Sequence, residues 1–197
     1  MIIGITGSIG SGKTTIAKLF SKYHFNRIAA DEIAHKLIRK NTKTYKKIIM
    51  AFGDGILDKN KNIDRKKLGN IVFNDGRKLK KLNSIMHPMI FKNIKNEILE
   101  TQKKCGSKIK IIIDAPLLLE TKTKKLVGRI IVVKSDKKNV LKRLSKKYPK
   151  YKIEKILNSQ MKPDEKLKYA DFVIDNNGDL KHLGNQVKKI AEILSEI

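Results

Sequence analysis

Short, nearly continuous apolar runs alternate along the chain with longer stretches in which apolar residues recur every three or four positions. Residues 1–6, Met-Ile-Ile-Gly-Ile-Thr, form the first run and predict a buried strand ending at Gly7. Helical spacing follows over 13–22, with Ile16, Ala17, Leu19 and Phe20 on the inward side. Residues 25–30 read as a second strand that ends at Asp31. From there to about 106 the pattern is mostly helical. Its stripes are Ile33, Leu37 and Ile38, then Ile48, Ile49 and Phe52, then Leu68, Ile71, Val72 and Phe73. A long helix within 85–99 is expected to start after His87-Pro88. Gly53-Asp54-Gly55, Asn60-Lys61-Asn62 and Asn74-Asp75-Gly76 punctuate the stretch as turns.

The second half returns to strands. Residues 109–114 and 129–134 are apolar runs, the first ending in Asp114. Residues 136–147 read as a very basic helix, and 152–161 continue helically after Tyr148-Pro149. Residues 172–174 form a last short strand. An amphipathic helix carrying Leu180, Leu183, Val187, Ile190, Ile193 and Leu194 closes the chain. Nearly continuous apolar strands separated by helices imply an α/β fold, a parallel sheet flanked by helices on both faces. The helix-only middle reads as an insertion on that scaffold.

Composition narrows the classes. The 197 residues suffice for one ordinary domain with a small helical subdomain, and 40% apolar content excludes wholesale disorder. The single cysteine, Cys105, excludes an intramolecular disulfide and a cysteine-based zinc site, and reads as a loop or core thiol. No apolar stretch approaches the roughly 18 to 20 residues that span a bilayer, and the first residues lack a signal peptide's basic region. A soluble protein of a reducing compartment, without a membrane partner, is therefore expected. Lys and Arg number 45 against 19 Asp and Glu, a formal charge of +26. The lysines are spread along the chain, so the excess fits a generally basic surface or a track for a polyanion, and it also draws small anionic substrates.

Gly7-Ser8-Ile9-Gly10-Ser11-Gly12-Lys13-Thr14 fits G-x-x-x-x-G-K-[ST] at every position, with an apolar strand before it and an amphipathic helix starting inside it. Glycines let the backbone curl so that several N–H groups face one cavity, and the helix N-terminus adds its partial positive charge there. Lys13 can reach the β- and γ-phosphates, and the Thr14 hydroxyl can ligate Mg²⁺. The loop points to nucleoside triphosphate binding and is silent on the acceptor. Asp31, at the end of the second strand, suits a base for an attacking hydroxyl and suits equally a helix N-cap. Asp114 is either a carboxylate of the kind that ends a Walker-B strand or a turn residue ahead of Pro116. Arg143 and Lys147, four apart on one basic helix, could clamp transferring phosphoryl oxygens or simply face water. His24, His35, His87 and His182 show no metal-ligand spacing.

Several separated segments together resemble one family, the dephospho-CoA kinases. The start, Ile3 through Thr14, is similar to that family's Thr-Gly-Gly-Ile-x-Ser-Gly-Lys-[Ser/Thr] opening, and Ala30-Asp31-Glu32-Ile33-Ala34 to its Asp-Ala-Asp-x-Ile-Ala block. Asp64-Arg65-Lys66-Lys67-Leu68 with Val72-Phe73, His87-Pro88 and Asp114-Ala115-Pro116-Leu117-Leu118-Leu119-Glu120 resemble its further blocks in order. Leu141-Lys142-Arg143-Leu144, Gln160-Met161 and 170–178 complete the series.

The resemblance implies a P-loop kinase fold with a core of 1–30, 106–135 and 171–197, a helical acceptor-binding insertion of 31–105 and a helical lid of 136–170. It implies ATP-dependent phosphorylation, with Mg²⁺, of the ribose 3′-hydroxyl of dephospho-CoA, the last step of coenzyme A synthesis. A monomeric cytoplasmic enzyme with no specific nucleic-acid partner is expected. By the same resemblance Asp31 is the base and Arg143 acts from the lid. Arg65, His87, Pro116, Leu117, Leu118 and Glu120 serve the acceptor, and Asn176, Asn177 and Gly178 lie near adenine. Three departures stand out. Ala29 replaces the first Asp of Asp-Ala-Asp, and Lys147 replaces a second lid arginine, keeping charge without the bidentate fork. Ser8 replaces the loop's usual second glycine, which is tolerable if its φ stays negative. The rival readings are another P-loop kinase with a nucleoside or nucleotide acceptor, and a basic ATPase that binds nucleic acid.

Overall fold

Five short strands rich in isoleucine and valine build the sheet, because β-branched side chains lose little on an extended backbone and pack well across it. In the computed structural model, which describes residues 1–196, these are β1 (Ile2–Thr6), β2 (Phe25–Ala29), β3 (Lys110–Asp114), β4 (Arg129–Lys134) and β5 (Phe172–Asp175). Their order across the sheet is β2-β3-β1-β4-β5, and every pairing is parallel. β1 is therefore central and buried on both faces, which is why it reads as an apolar run rather than an alternation. Its Ile3 and Ile5 are 0% exposed. The strand order reverses at β1, and ligands of open α/β sheets bind at the carboxyl ends of the strands beside such a reversal.

The chain divides into two compact units, 1–29 with 97–197, and 30–96. In the first unit α1 (Lys13–Phe20) and α9 (Leu180–Glu196) pack on the sheet. Ile16, Phe20, Leu183, Val187 and Leu194 meet Ile3, Ile5, Ile131 and Ile174 in one apolar cluster. Phe20 also meets Phe25 edge to face, with ring centroids 5.4 Å apart. Full burial of a side chain such as Phe20 contributes about 2 to 3 kcal/mol. Beyond β4 come α6 (Lys137–Ser145), α7 (Lys150–Asn158) and α8 (Pro163–Leu167), with Val140, Leu144 and Ile153 forming their own small core.

The second unit holds α2 (Ala30–Leu37), α3 (Lys43–Phe52), α4 (Arg65–Asn74) and the larger part of α5 (Gly76–Cys105). Tyr45, Ile48, Ile56, Leu68, Val72 and Met86 are its core. Side-chain caps fix its helix starts: Thr42 Oγ1 accepts from the Tyr45 amide at 3.0 Å, and Asp64 Oδ1 from Lys66 and Lys67 at 2.8 and 3.2 Å. The structure corrects one expectation here. The last helix does not begin after His87-Pro88 but at Gly76, just past Asp75, whose carboxylate accepts from the Arg77 amide. Pro88 lies inside it, although proline removes a donor and crowds the preceding turn. Leu79, Leu82, Ile85, Met86 and Ile90 pack along one stripe against the unit's core, and this tertiary burial outweighs the local penalty.

Candidate active site

The loop between β1 and α1 sits at the carboxyl end of the central strand, in the first unit. Gly7, Gly10 and Gly12 have φ of 152°, 78° and 93°, and Ser8 is not among the residues with positive φ. Serine is therefore accommodated where a second glycine was expected. Gly12 needs its missing side chain twice over. Its φ is left-handed, and a Cβ there would stand 2.0 Å from Asn176 Nδ2. That Asn176 amide, 9% exposed just past β5, donates to the Ser11 carbonyl at 2.6 Å.

Gly12 is also the N-cap of α1, and no side chain caps the helix. The first-turn amides have no intrahelical partner by geometry, so they face the loop's interior with the positive end of the helix dipole. Lys13 is 7% exposed, and its Nζ donates to the Ser8 carbonyl at 3.3 Å, which folds the ammonium back over the loop. Thr14 is exposed in the same turn. Together these groups make a cradle for a polyphosphate. One Thr14 hydroxyl suits a hard divalent ion whose other ligands are phosphate oxygens and water. Among the described residues no cluster of His, Cys, Asp and Glu would hold a metal by itself.

Arg143 of α6 reaches the rim of this loop. Its guanidinium donates to the Gly10 carbonyl at 3.2 Å, to Ser135 Oγ at 3.0 Å and to the Asn176 carbonyl at 2.9 Å. Lys147 does not share its helix face as the spacing had suggested. The α-helix ends at Ser145, and Lys147 lies exposed in the following turn, its amide bonded to the Leu144 carbonyl. Asn177 is occupied within the protein, accepting from the Asp136 amide at 2.7 Å and Asn139 Nδ2 at 3.0 Å, so the residues after β5 tie the loop to the start of α6. Gly178 is exposed beside them. Ile9 gives its amide to Gln160 Oε1 at 3.1 Å, a contact invisible at a separation of 151 residues.

The segment after β3 is anchored from both sides. Leu118 is 0% exposed and packs over Gly4, where a Cβ would lie 2.3 Å from Leu118 Cδ2. Leu118 thus serves the segment by packing, while Pro116, Leu117 and Glu120 are half-buried. The Pro116 carbonyl accepts from Thr6 Oγ1 at 3.1 Å and Lys166 Nζ at 2.8 Å, and Glu120 pairs with Lys166 at 2.9 Å. Asp114 proves to be neither open nor in a turn. It ends β3, 4% exposed, with Oδ2 receiving Arg27 from β2 at 2.9 and 3.3 Å. Sequence reading passed over Arg27 and Lys166, and it quoted Gln160 only as part of a family block with no partner; the partners lie 87, 50 and 151 residues away.

In the second unit Asp31 lies within the first turn of α2, not at its cap, with Glu32 beside it. His35 is one helical turn on. Arg65 at the start of α4 is near enough to hold the His35 pKa down, after the larger effect of partial desolvation of the ring, while Asp31 and Glu32 pull it up. The net direction is below the ordinary 6.5. Asp31, His35 and Arg65 therefore share one electrostatic neighbourhood, and sequence reading had given His35 no part in it. His87 is half-buried within α5.

A cavity of about 220 Å³ opens beside the loop, lined by Gly7, Ser8, Ser11, Ser135, Pro163 and Lys166 among others. A larger depression of about 590 Å³ touches His24 and Ile109, which precede β2 and β3. It lies at the amino ends of the strands, away from the end where sheets of this kind bind ligands.

A parallel sheet of this order with a phosphate-cradling loop after its central strand defines a P-loop kinase. A shikimate kinase structure from Bacteroides thetaiotaomicron shares the fold at TM-score 0.54 and 11% identity, over 99% of this chain and 98% of that one. The family model described as CoaE, dephospho-CoA kinase, matches residues 1–182. Dephospho-CoA kinases of Fusobacterium nucleatum and Aquifex aeolicus are 42% and 39% identical over 98% of this chain, and are covered over 98% and 97% of their own lengths. The dephospho-CoA kinase structure from Campylobacter jejuni superposes at TM-score 0.71 with 31% identity, covering 99% of this chain and 97% of that one. The chain belongs to the dephospho-CoA kinase family, and is a kinase and a transferase.

Proposed function

We propose that this chain transfers the γ-phosphoryl group of ATP to the ribose 3′-hydroxyl of dephospho-CoA, giving coenzyme A and ADP, the last step of coenzyme A synthesis. The observation that carries the nucleotide half is the uncapped N-terminus of α1, entered through a left-handed Gly12 inside a complete phosphate-loop sequence. The acceptor half rests on family membership.

The transition state of phosphoryl transfer is loose, with charge spread over the γ-oxygens, so alignment and charge neutralisation dominate. Loop amides from Gly7 to Thr14 hold the phosphates, and Lys13 turns from the Ser8 carbonyl to the β- and γ-oxygens. Thr14 would hold a divalent ion such as Mg²⁺, which would supply neutralisation of part of that charge. Arg143, already at the loop's rim, exchanges a carbonyl partner for a transferring oxygen. Lys147 supplies longer-range attraction to the nucleotide, and Asn176, Asn177 and Gly178 shape its base end. Asp31 accepts the proton of the 3′-hydroxyl as its oxygen bonds to the γ-phosphorus and the bond to the β–γ bridging oxygen breaks. Arg65, His87 and the 116–120 segment hold the acceptor. A monomer acting in the cytoplasm is part of this proposal.

The test is a coupled assay with ATP, Mg²⁺ and dephospho-CoA, run beside a panel of nucleosides and nucleoside monophosphates. 3′-Phosphorylated product from dephospho-CoA alone supports the reading. Preferred turnover of a panel member reassigns the acceptor and leaves the loop's role standing.

A further inference from the structure

Two lysines are buried among the described residues, Lys13 and Lys166. Lys13 belongs to the phosphate loop. Lys166, in α8, is 0% exposed and has no part in the roles above. Its Nζ donates to the Pro116 carbonyl at 2.8 Å and pairs with Glu120 Oε1 at 2.9 Å. Each partner is held a second time. The Pro116 carbonyl also accepts from Thr6 Oγ1, on the residue that leads into the loop, and Glu120 Oε1 accepts from the Met161 amide at 3.0 Å. One ammonium therefore joins the mouth of the nucleotide loop, both ends of the 116–120 segment and the chain between α7 and α8.

We propose that Lys166 is a positioning residue for the phosphoryl acceptor, setting where the 116–120 segment stands relative to the nucleotide loop. Burying an ammonium and a carboxylate is expensive, and a well-packed apolar pair of the same volume commonly serves stability as well or better. What the ion pair adds is one fixed geometry, since the apolar pair would slide where the charged pair cannot. α8 has only five residues and starts with proline, so it does not hold its own orientation and takes it from this contact. Leu118, seated on Gly4 between the two anchored ends, leaves the segment no other place to settle. Angstrom-scale misplacement of an acceptor costs about 10²-fold in rate. The inference rests on the reading that 116–120 serves the acceptor.

The test compares Lys166→Met, which removes the charge and both donated bonds, with Lys166→Gln, which keeps a donor in the same place. The readouts are Tm, ATP affinity by titration, and kcat/KM for dephospho-CoA. Lys166→Met is expected to bind ATP as the parent does and to lose about 10²-fold in acceptor kcat/KM. Lys166→Gln is expected to regain part of that loss. Parental acceptor kcat/KM in Lys166→Met overturns the proposal, as does a parallel loss of ATP and acceptor affinity. Should Lys166→Met not fold, Lys166→Gln alone decides. A lowered acceptor kcat/KM at unchanged ATP affinity supports the proposal, and parallel change or no change overturns it. A parent protein inactive on dephospho-CoA sinks the proposed function instead, and the same split is then read with the acceptor the panel identifies.

Discussion

Lys13 and Asp31 are the residues on which the proposed chemistry bears most directly. Lys13→Ala removes the charge that meets the transferring oxygens, and kcat is expected to fall by about 10² to 10³-fold. Asp31→Asn keeps the size of the side chain and loses its basicity, with an expected loss of about 10²-fold in kcat at little change in acceptor KM. Near-parental kcat in that variant would leave Asp31 as a first-turn residue that only complements the dipole of α2. His35 offers a separate reading of the same neighbourhood. Its pKa is lowered by partial desolvation of the ring, then by Arg65. The unfolded chain takes up the proton first as pH falls, so the neutral ring's contribution to stability is complete above pH 6.5 and is withdrawn below it. Thermal unfolding between pH 7 and 5 should therefore show a shallower acid-side loss of Tm for His35→Gln than for the parent.

At the level of elements, two positions set local rules against each other. Gly12→Ala places a Cβ against Asn176 Nδ2 in a left-handed conformation, and should destabilise the loop by about 1 to 3 kcal/mol. Adding Asn176→Ala relieves the clash but not the strain, so calorimetry of the pair separates the two. Pro88→Ala restores an amide inside α5 and should raise stability by about 1 to 3 kcal/mol. These positions also show what a single sequence conveys. The phosphate loop is legible because its chemistry is contiguous: eight neighbouring residues carry the turn, the charge and the hydroxyl. The inner strands β1, β3 and β4 are legible because burial on both faces writes itself as runs of Ile and Val, while the edge strands β2 and β5, with Asn26 and Val173 exposed, carry a weaker form of the same signal. The start of α5 is not, since proline's local penalty can be read from Pro88 while the stripe that overrides it needs a partner surface. Arg27 and Lys166 stayed hidden for the same reason, and Gln160, legible as part of a family block, gave no sign of its partner. Each waits for the fold to supply the Asp114 carboxylate, the Glu120 carboxylate or the Ile9 amide opposite it.

For the molecule as a whole, the formal charge of +26 acts through its field rather than through any pair. Such a field raises the local concentration of a polyphosphate and is screened within about 8 Å at physiological ionic strength. The KM for ATP is accordingly expected to climb as salt is raised, with kcat changing far less, in steady-state assays across a sodium chloride series. The spread of lysine over every segment is what the sequence displayed, and it left open whether any polyanion is favoured. The loop settles which anion has a shaped place to bind, because charge attracts without discrimination and only converging amides select.

Asn176 stands 165 residues downstream of Ser11, yet its carboxamide fills the space beneath the glycine where the first helix begins. During synthesis, a nascent chain whose final strand is still inside the ribosomal tunnel carries the complete loop sequence without the wedge that shapes it. The proposed capture of ATP should therefore wait until β5 has left the tunnel, and a ribosome-bound intermediate stalled before that point should be blind to nucleotide.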